Sequence, residues 1–319
     1  MLKEEKIEKV FVSGHIPEMR AGFEEELMSV CERASELGLK IILDISKPMY
    51  EKIKLPKIYA LRLDYGFSLE EIVKLYHEKK FVIELNASTI SEETINYLIS
   101  RGVNLQEIRI SHNFYPKKYT GLSRKTVIEK NKYFRSLGMN VAIYIPSSNQ
   151  KRPPMYEGLP TIEEHRYQDL ESVLSEARTL LVNDLIFGDS YCSKEELIKA
   201  RDFDFNTYVI PVKLYKELPA SQMELLERIH FNRTDANPYF VRSSCRSKEN
   251  ISKDNTIERK KGMVTIDNEM FKRYQGEVCV MLENLEADER VNVVGEALCS
   301  EEYLRMIKGG NKFKLKIIR

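Results

Sequence analysis

At 319 residues the chain is longer than a usual single domain, so one large and one smaller domain are the natural expectation. Hydrophobic residues at 42% and charged residues at 31% allow a sizeable core and exclude a disordered composition. Lys and Arg total 50 against 49 Asp and Glu; the resulting net charge of +1 speaks against nucleic acid or an anionic membrane as a bulk electrostatic partner.

No apolar run approaches ~18 residues, and the start MLKEEKIEKV is too charged for a signal-peptide core. Cytoplasmic residence is therefore expected. The five cysteines, Cys31, Cys192, Cys245, Cys279 and Cys299, are scattered, odd in number and without a CxxC spacing. This fits reduced thiols and lends no support to structural zinc. The five histidines form neither HxH nor HExxH, so no metal and no cofactor are expected.

Up to about residue 200, β-rich runs alternate with amphipathic helical segments. Lys9–Ser13 leads through GHIPE to a helix over Phe23–Leu37, closed by Gly38. Lys40–Ile45 follows, then Ile58–Tyr65, with Ser68 capping a helix to about Lys79. Phe81–Asn86 meets a helix running to about Ser100, which either a Thr89–Glu92 capping box or Ser91 as a plain N-cap would open. Glu107–Ser111 enters a polar loop holding His112, Asn113, Tyr115, Lys117, Lys118 and Thr120, and Gly121 leads to a helix capped by Ser123. That layout of strand, basic loop and helix start can receive an anion, and an ordinary polar βα loop is the alternative. Asn140–Pro146, a helix over roughly Ile162–Leu180, Asp184–Asp189 and a helix near Ser193–Arg201 complete the series. Regular alternation of this kind predicts right-handed βα units on a parallel sheet.

Seven such units are one short of the eight that close a TIM barrel, and no GxGxxG follows the first strand to favour a nucleotide-binding sheet. Nearly every strand ends in polar groups: His15 and Glu18, Asp44, Arg62 and Asp64, Glu84 and Asn86, His112 and Asn113, Asp189. At the carboxyl ends of barrel strands these converge on one mouth, where barrels do their chemistry. Taken singly, each is also an ordinary turn former or cap. Beyond residue 205 the pattern becomes β-rich with few helices, which predicts a barrel domain over 1–204 and a closed or sandwich-like β domain over 205–319. The basic segment Arg242–Lys261 reads as a solvated loop, although Arg242 beside Ser243 at a strand end could reach an anion.

The stretches LRLDYGFS, ELNASTIS, HNFYPKKYTGLS, YEGLPTIEEHR, TIDNE and RVNVVG resemble the bacterial 6-phospho-N-acetylmuramidase family, essentially end to end. The resemblance implies a TIM barrel followed by a cyclophilin-like β domain. It also implies a cytoplasmic glycosidase of cell-wall recycling that releases 6-phospho-N-acetylmuramic acid from N-acetylglucosamine. Three departures stand out. Family members carry a further strand and helix ahead of the strand that here is KVFVS, so an open seven-stranded barrel with two parallel edges is expected. Lys117 and Lys118 replace an Arg-Pro pair, giving point charges in place of a bidentate fork. Glu84 stands where glutamine is usual, which disfavours it as a family-wide catalytic acid.

Glycoside hydrolysis calls for two carboxyls flanking the scissile bond. Asp44, Asp64 and Asp189 are the candidates because each ends a strand, with Glu18 and Glu157 on loops as reserve acids. Asp64 beside Arg62 is expected to stay ionised and to suit a nucleophile or base. Substrate-assisted catalysis through the sugar's own acetamido group is the alternative route. Under the resemblance, phosphate and sugar contacts fall to Arg62, Asn86, His112, Asn113, Tyr115, Thr120, Gly121 and Arg242, with His112 equally readable as a structural histidine. Two other readings remain: a non-catalytic phosphosugar-binding relative, and a barrel enzyme of another class. Of the latter, a Schiff-base aldolase is disfavoured, since Lys9 and Lys40 lie at strand starts.

Overall fold

Period-two alternation builds the first seven strands: β1 (Lys9–Ser13), β2 (Lys40–Ile45), β3 (Ala60–Leu63), β4 (Val82–Asn86), β5 (Arg109–Ser111), β6 (Asn140–Ile145) and β7 (Asp184–Phe187). They lie side by side in chain order, every pair parallel, in a computed structural model that describes residues 2, 4–5, 7–14, 22–247 and 249–318. Lys9 of β1 reaches Asp184 of β7 at 2.8 Å, so the two edge strands approach each other and the sheet forms a nearly closed barrel of TIM type.

Helices α1 (Phe23–Glu36), α2 (Lys47–Lys52), α3 (Leu69–Glu78), α4 (Glu92–Ser100) and α5 (Arg124–Ser136) make the crossovers. Their starts follow from local chemistry. Ser68 and Glu71 form a reciprocal capping box on α3, while Ser91, not Thr89, caps α4 and Ser123 caps α5. The short α2 carries Pro48 in its first turn, a start that apolar periodicity does not reveal. Outward-facing Ile41, Leu43, Leu61, Ile83 and Leu85 bury against Leu27, Ile72, Leu75, Ile95 and Leu98 of the helices. Each such side chain contributes about 1.5–3 kcal/mol of transfer free energy.

The single helix expected over 162–180 is not formed. A 3₁₀ segment, Glu163–Tyr167, is followed by the short α6 (Leu170–Glu176), because Glu163 and Arg166 are drawn into contacts with neighbouring loops. After β7, α7 (Lys194–Arg201) is opened by a Ser193–Glu196 capping box.

The chain divides into two compact units, Met1–Leu170 with Leu180–Asp202, and Glu171–Thr179 with Phe203–Arg319. The second contains β8 (Thr207–Leu214), β9 (Ile229–Phe231), β10 (Phe240–Arg246), β11 (Met263–Asp267), β12 (Glu277–Met281), β13 (Val291–Ala297) and β14 (Lys312–Ile318), with α8 (Ala220–Glu227) and α9 (Glu301–Arg305). Sheet order is β10-β12-β11-β13-β8-β14-β9, and a bridge between Asn232 and Ser243 joins the two ends, so this sheet closes on itself. Ile210, Val212, Val264, Ile266, Val278, Val280 and Phe313 fill its core. Within this unit Glu171 pairs with Lys316 at 3.1 Å and also with Lys314. Among the described residues no helix is long and apolar enough to cross a membrane.

Candidate active site

Alternation that sends apolar residues of the barrel strands outward sends polar ones inward, and these form two tiers. The lower tier lies near the strand starts. Arg109 donates from Nε to Glu84 Oε2 (2.8 Å) and pairs through Nη2 with Asp184 (2.8 Å), which also receives Lys9 Nζ (2.8 Å). Glu84 is fully buried, and its Oε1 has no hydrogen-bond partner among the described residues. The tier joins two buried charges, Glu84 and Arg109, to the partly exposed Asp184 and Lys9 by pairing, which suits a barrel floor.

The upper tier is organised by Arg62 at 3% exposure. It donates from Nε to Ser111 Oγ (2.9 Å), from Nη1 to Asp44 Oδ1 (2.7 Å) and from Nη2 to Asn113 Oδ1 (2.7 Å). Asn86 Nδ2 donates to the same Asn113 oxygen at 2.9 Å. Asp44, Arg62, Asn86 and Asn113 thus share one network, while Ser111, which sequence reasoning passed over, supports the guanidinium. The signal for Ser111 was its place between Arg109 and Asn113 on one strand face. Phe11, Phe114 and the fully buried Tyr144 stack edge-to-face nearby, with ring centroids 5.1–6.2 Å apart.

Arg62 pairs with Asp44 rather than with Asp64, contrary to the expectation from spacing. The parallel register sets Asp44 directly opposite Arg62, whereas Asp64 lies beyond the end of β3. Burial pushes the Asp44 carboxyl above the usual range by more than Arg62 lowers it, with Asp64 and Glu84 adding repulsion. Asp64 is half-buried; its backbone N–H donates to Ile45 O (3.1 Å), and its carboxylate has no hydrogen bond or ion pair among the described residues.

Other candidates are held elsewhere. Asp189 accepts three backbone N–H groups, from Ser147 (2.9 Å), Arg152 (3.1 Å) and Leu159 (3.3 Å), so it pins the loop after β6. Glu157 pairs with Lys118 at 2.8 Å. Glu18, with His15, lies outside the described residues. His112 turns to the opposite face from Ser111 and Asn113 and is wholly buried. Its Nε2 contacts Asn131 Oδ1 at 2.8 Å and its Nδ1 lies 3.4 Å from Ser88 Oγ, so both ring nitrogens are engaged. Burial drives its pKa down to about 4. Arg242 belongs to the second unit, where it pairs with Glu277.

The loop over 115–121 holds an anion of its own, the Glu163 carboxylate. Glu163 accepts from Tyr119 N (2.9 Å) and Gly121 N (2.8 Å), while Leu122 N donates to Thr161 O (2.9 Å). Arg166 donates to both Glu163 oxygens and to the carbonyls of Tyr115, Lys117, Glu157 and Gly158. Its guanidinium and the loop amides hold the Glu163 carboxyl at about 2, well below the usual range. Thr120 Oγ1 donates to Lys117 O (2.6 Å). Gly121 is required sterically: a Cβ there would lie 2.6 Å from Glu163 Oε2 and 2.8 Å from Glu163 N. The missed signal was the Glu163–Arg166 spacing within TIEEHR. Among the described residues no group of three or more His, Cys, Asp or Glu could hold a metal ion.

A parallel barrel with a carboxylate-and-arginine network at the carboxyl ends of its strands, followed by a closed β domain, defines a TIM-type barrel protein with a polar mouth. The chain belongs to the 6-phospho-N-acetylmuramidase family: the family's N-terminal model matches residues 1–202 and its C-terminal model residues 208–316. Among solved structures it is similar to a conserved Enterococcus faecalis protein described as of unknown function, at 29% identity over 99% of this chain and 90% of that one, with a TM-score of 0.69. It is also similar to a B. cereus protein described as uncharacterized, at 25% identity over 98% of this chain and 92% of that one, with a TM-score of 0.72. No curated protein matches.

Proposed function

We propose that this chain hydrolyses the glycosidic bond of a 6-phospho-N-acetylmuramyl sugar, with N-acetylglucosamine as the leaving group, in cytoplasmic recycling of cell-wall fragments. Family membership supports the reaction class, and the observation that carries the site is the pair of unlike carboxyls, Asp44 in β2 and Asp64 just past the end of the neighbouring β3. Asp44 has one oxygen bonded by Arg62 and the other without a hydrogen bond among the described residues. Its raised pKa suits a general acid toward the leaving oxygen. Asp64, unpaired and closer to solvent, suits the base or nucleophile. Asn113, oriented by Arg62, and Asn86, which donates to Asn113, offer amides to sugar hydroxyls, and Tyr115, Lys117 and Thr120 lie on the loop that would meet the phosphate.

The test is hydrolysis of 6-phospho-N-acetylmuramyl-N-acetylglucosamine by the 319-residue chain, beside the unphosphorylated disaccharide. Turnover of the phosphorylated sugar only, with kcat lowered about 10²–10⁴-fold in Asp64→Asn and in Asp44→Asn, is the expected result. Saturable binding of the phosphosugar by the unaltered chain without turnover would replace this reading with that of a binding protein.

A further inference from the structure

The second unit has a cleft of its own, about 330 Å³ in volume. Alternation builds it, because Val241, Val264, Ile266, Val278 and Val280 point into the core. The intervening positions, among them Arg242, Asp267 and Glu277, line the opposite face of the sheet. Glu277, 4% exposed, accepts from Arg242 and from Arg246, the latter at 2.6 Å. Arg259 adds a third guanidinium; its Nε donates to the Glu286 carbonyl (2.9 Å), and it has no ion pair among the described residues.

Two carboxyls oppose these three cations. Asp267 sits across from Glu277, since Ile266 pairs with Val278 in the antiparallel register. Its carboxyl accepts no hydrogen bond among the described residues. Burial, then the Glu277 charge, raises it to about 7, so near neutrality it does not fully cancel a guanidinium. The cleft therefore keeps an excess of positive charge beside an apolar wall of Phe271 and Tyr274. Well-packed apolar residues would stabilise a sheet face as well as this cluster does, because desolvating the charges offsets their pairing. Such a concentration of guanidinium groups around a concave, partly aromatic surface is what recognition of an oxyanion requires.

We propose that this cleft is a binding site for a small oxyanion, a carboxylate or a phosphate ester, separate from the barrel chemistry. Arg259 and the outer faces of Arg242 and Arg246 meet the anion, and Phe271 and Tyr274 flank the rest of the ligand. The inference does not rest on the proposed hydrolysis and survives its failure.

The test titrates the full chain calorimetrically with inorganic phosphate and, separately, with lactate, and follows amide hydrogen exchange with each. One anion is expected to saturate a site and to protect residues within 240–281. The arm that responds tells phosphate from carboxylate recognition. Arg259→Gln, at a half-exposed position, is expected to weaken binding at least about tenfold, a cost typical of a lost charge-assisted contact. Glu277→Gln, which releases Arg242 and Arg246, is expected to tighten it. No saturation by either anion up to about 10 mM, a weak limit on the affinity scale, would overturn the proposal. So would protection confined to residues 1–202, or unaltered binding by a folded Arg259→Gln chain.

Discussion

Ser111, His112 and Asn113 are consecutive in sequence and end in two environments. Ser111 and Asn113 hold Arg62 inside the barrel, while His112 is sealed behind the strand against Asn131 of α5. The buried imidazole stays neutral, and this makes a pH prediction. Its folded pKa of about 4 lies below the ordinary 6.5. The unfolded chain therefore binds the proton first as pH falls. The stability contribution is complete above about 6.5 and is lost progressively toward 4, by about 3 kcal/mol in all. Urea unfolding between pH 7 and 4.5 should show a steeper loss for the unaltered chain than for His112→Gln; equal slopes would contradict the assignment. Placement of His112 was legible in principle, since period-two alternation allows only one of His112 and Asn113 to face inward. Arg62's partner was not, because two aspartates lay within reach and only the β2–β3 register decides between them.

At the scale of elements, the 3₁₀ segment Glu163–Tyr167 acts as a clamp on the loop over 115–121. Its Glu163 supplies the negative charge that the loop amides call for, and Arg166 ties two loops through their carbonyls. Glu163→Gln would set an amide N–H₂ against a backbone N–H or the guanidinium and leave the buried Arg166 short of its counter-ion. A loss of about 2–4 kcal/mol is expected in chemical denaturation. Faster proteolysis within 115–121 should accompany it; a chain cut no faster than the unaltered one would show that the loop holds its own shape. The sequence signals an acidic and a basic residue three apart, which reads equally well as a helical surface pair. Only the loop brought alongside by folding turns that spacing into a clamp.

For the whole molecule, near-neutral charge predicts weak long-range attraction. If the proposed hydrolysis is observed, kcat/KM for the phosphorylated sugar should change by no more than about threefold between 50 and 200 mM salt, since local side chains and not a global field bring the substrate in. A tenfold fall across that range would show that a focused positive field guides it. The strand–helix alternation, the parallel barrel sheet, the β-rich second domain and family membership were legible in the sequence alone, whereas the near-closure of the barrel expected to be open, the closure of the second sheet and the split of the helix expected over 162–180 were not. Strand alternation, caps such as Ser68 and Ser123 and family motifs are properties of residues a few positions apart, and they keep their meaning before anything folds. Tertiary structure alone decided that Arg62 takes Asp44, that Glu163 fills the loop amides, that Asp189 is occupied by backbone donors, and that residues 171–179 group with the second unit. Each of these is a choice among chemically equivalent partners far apart in the chain, and register and packing, which no local pattern encodes, make that choice.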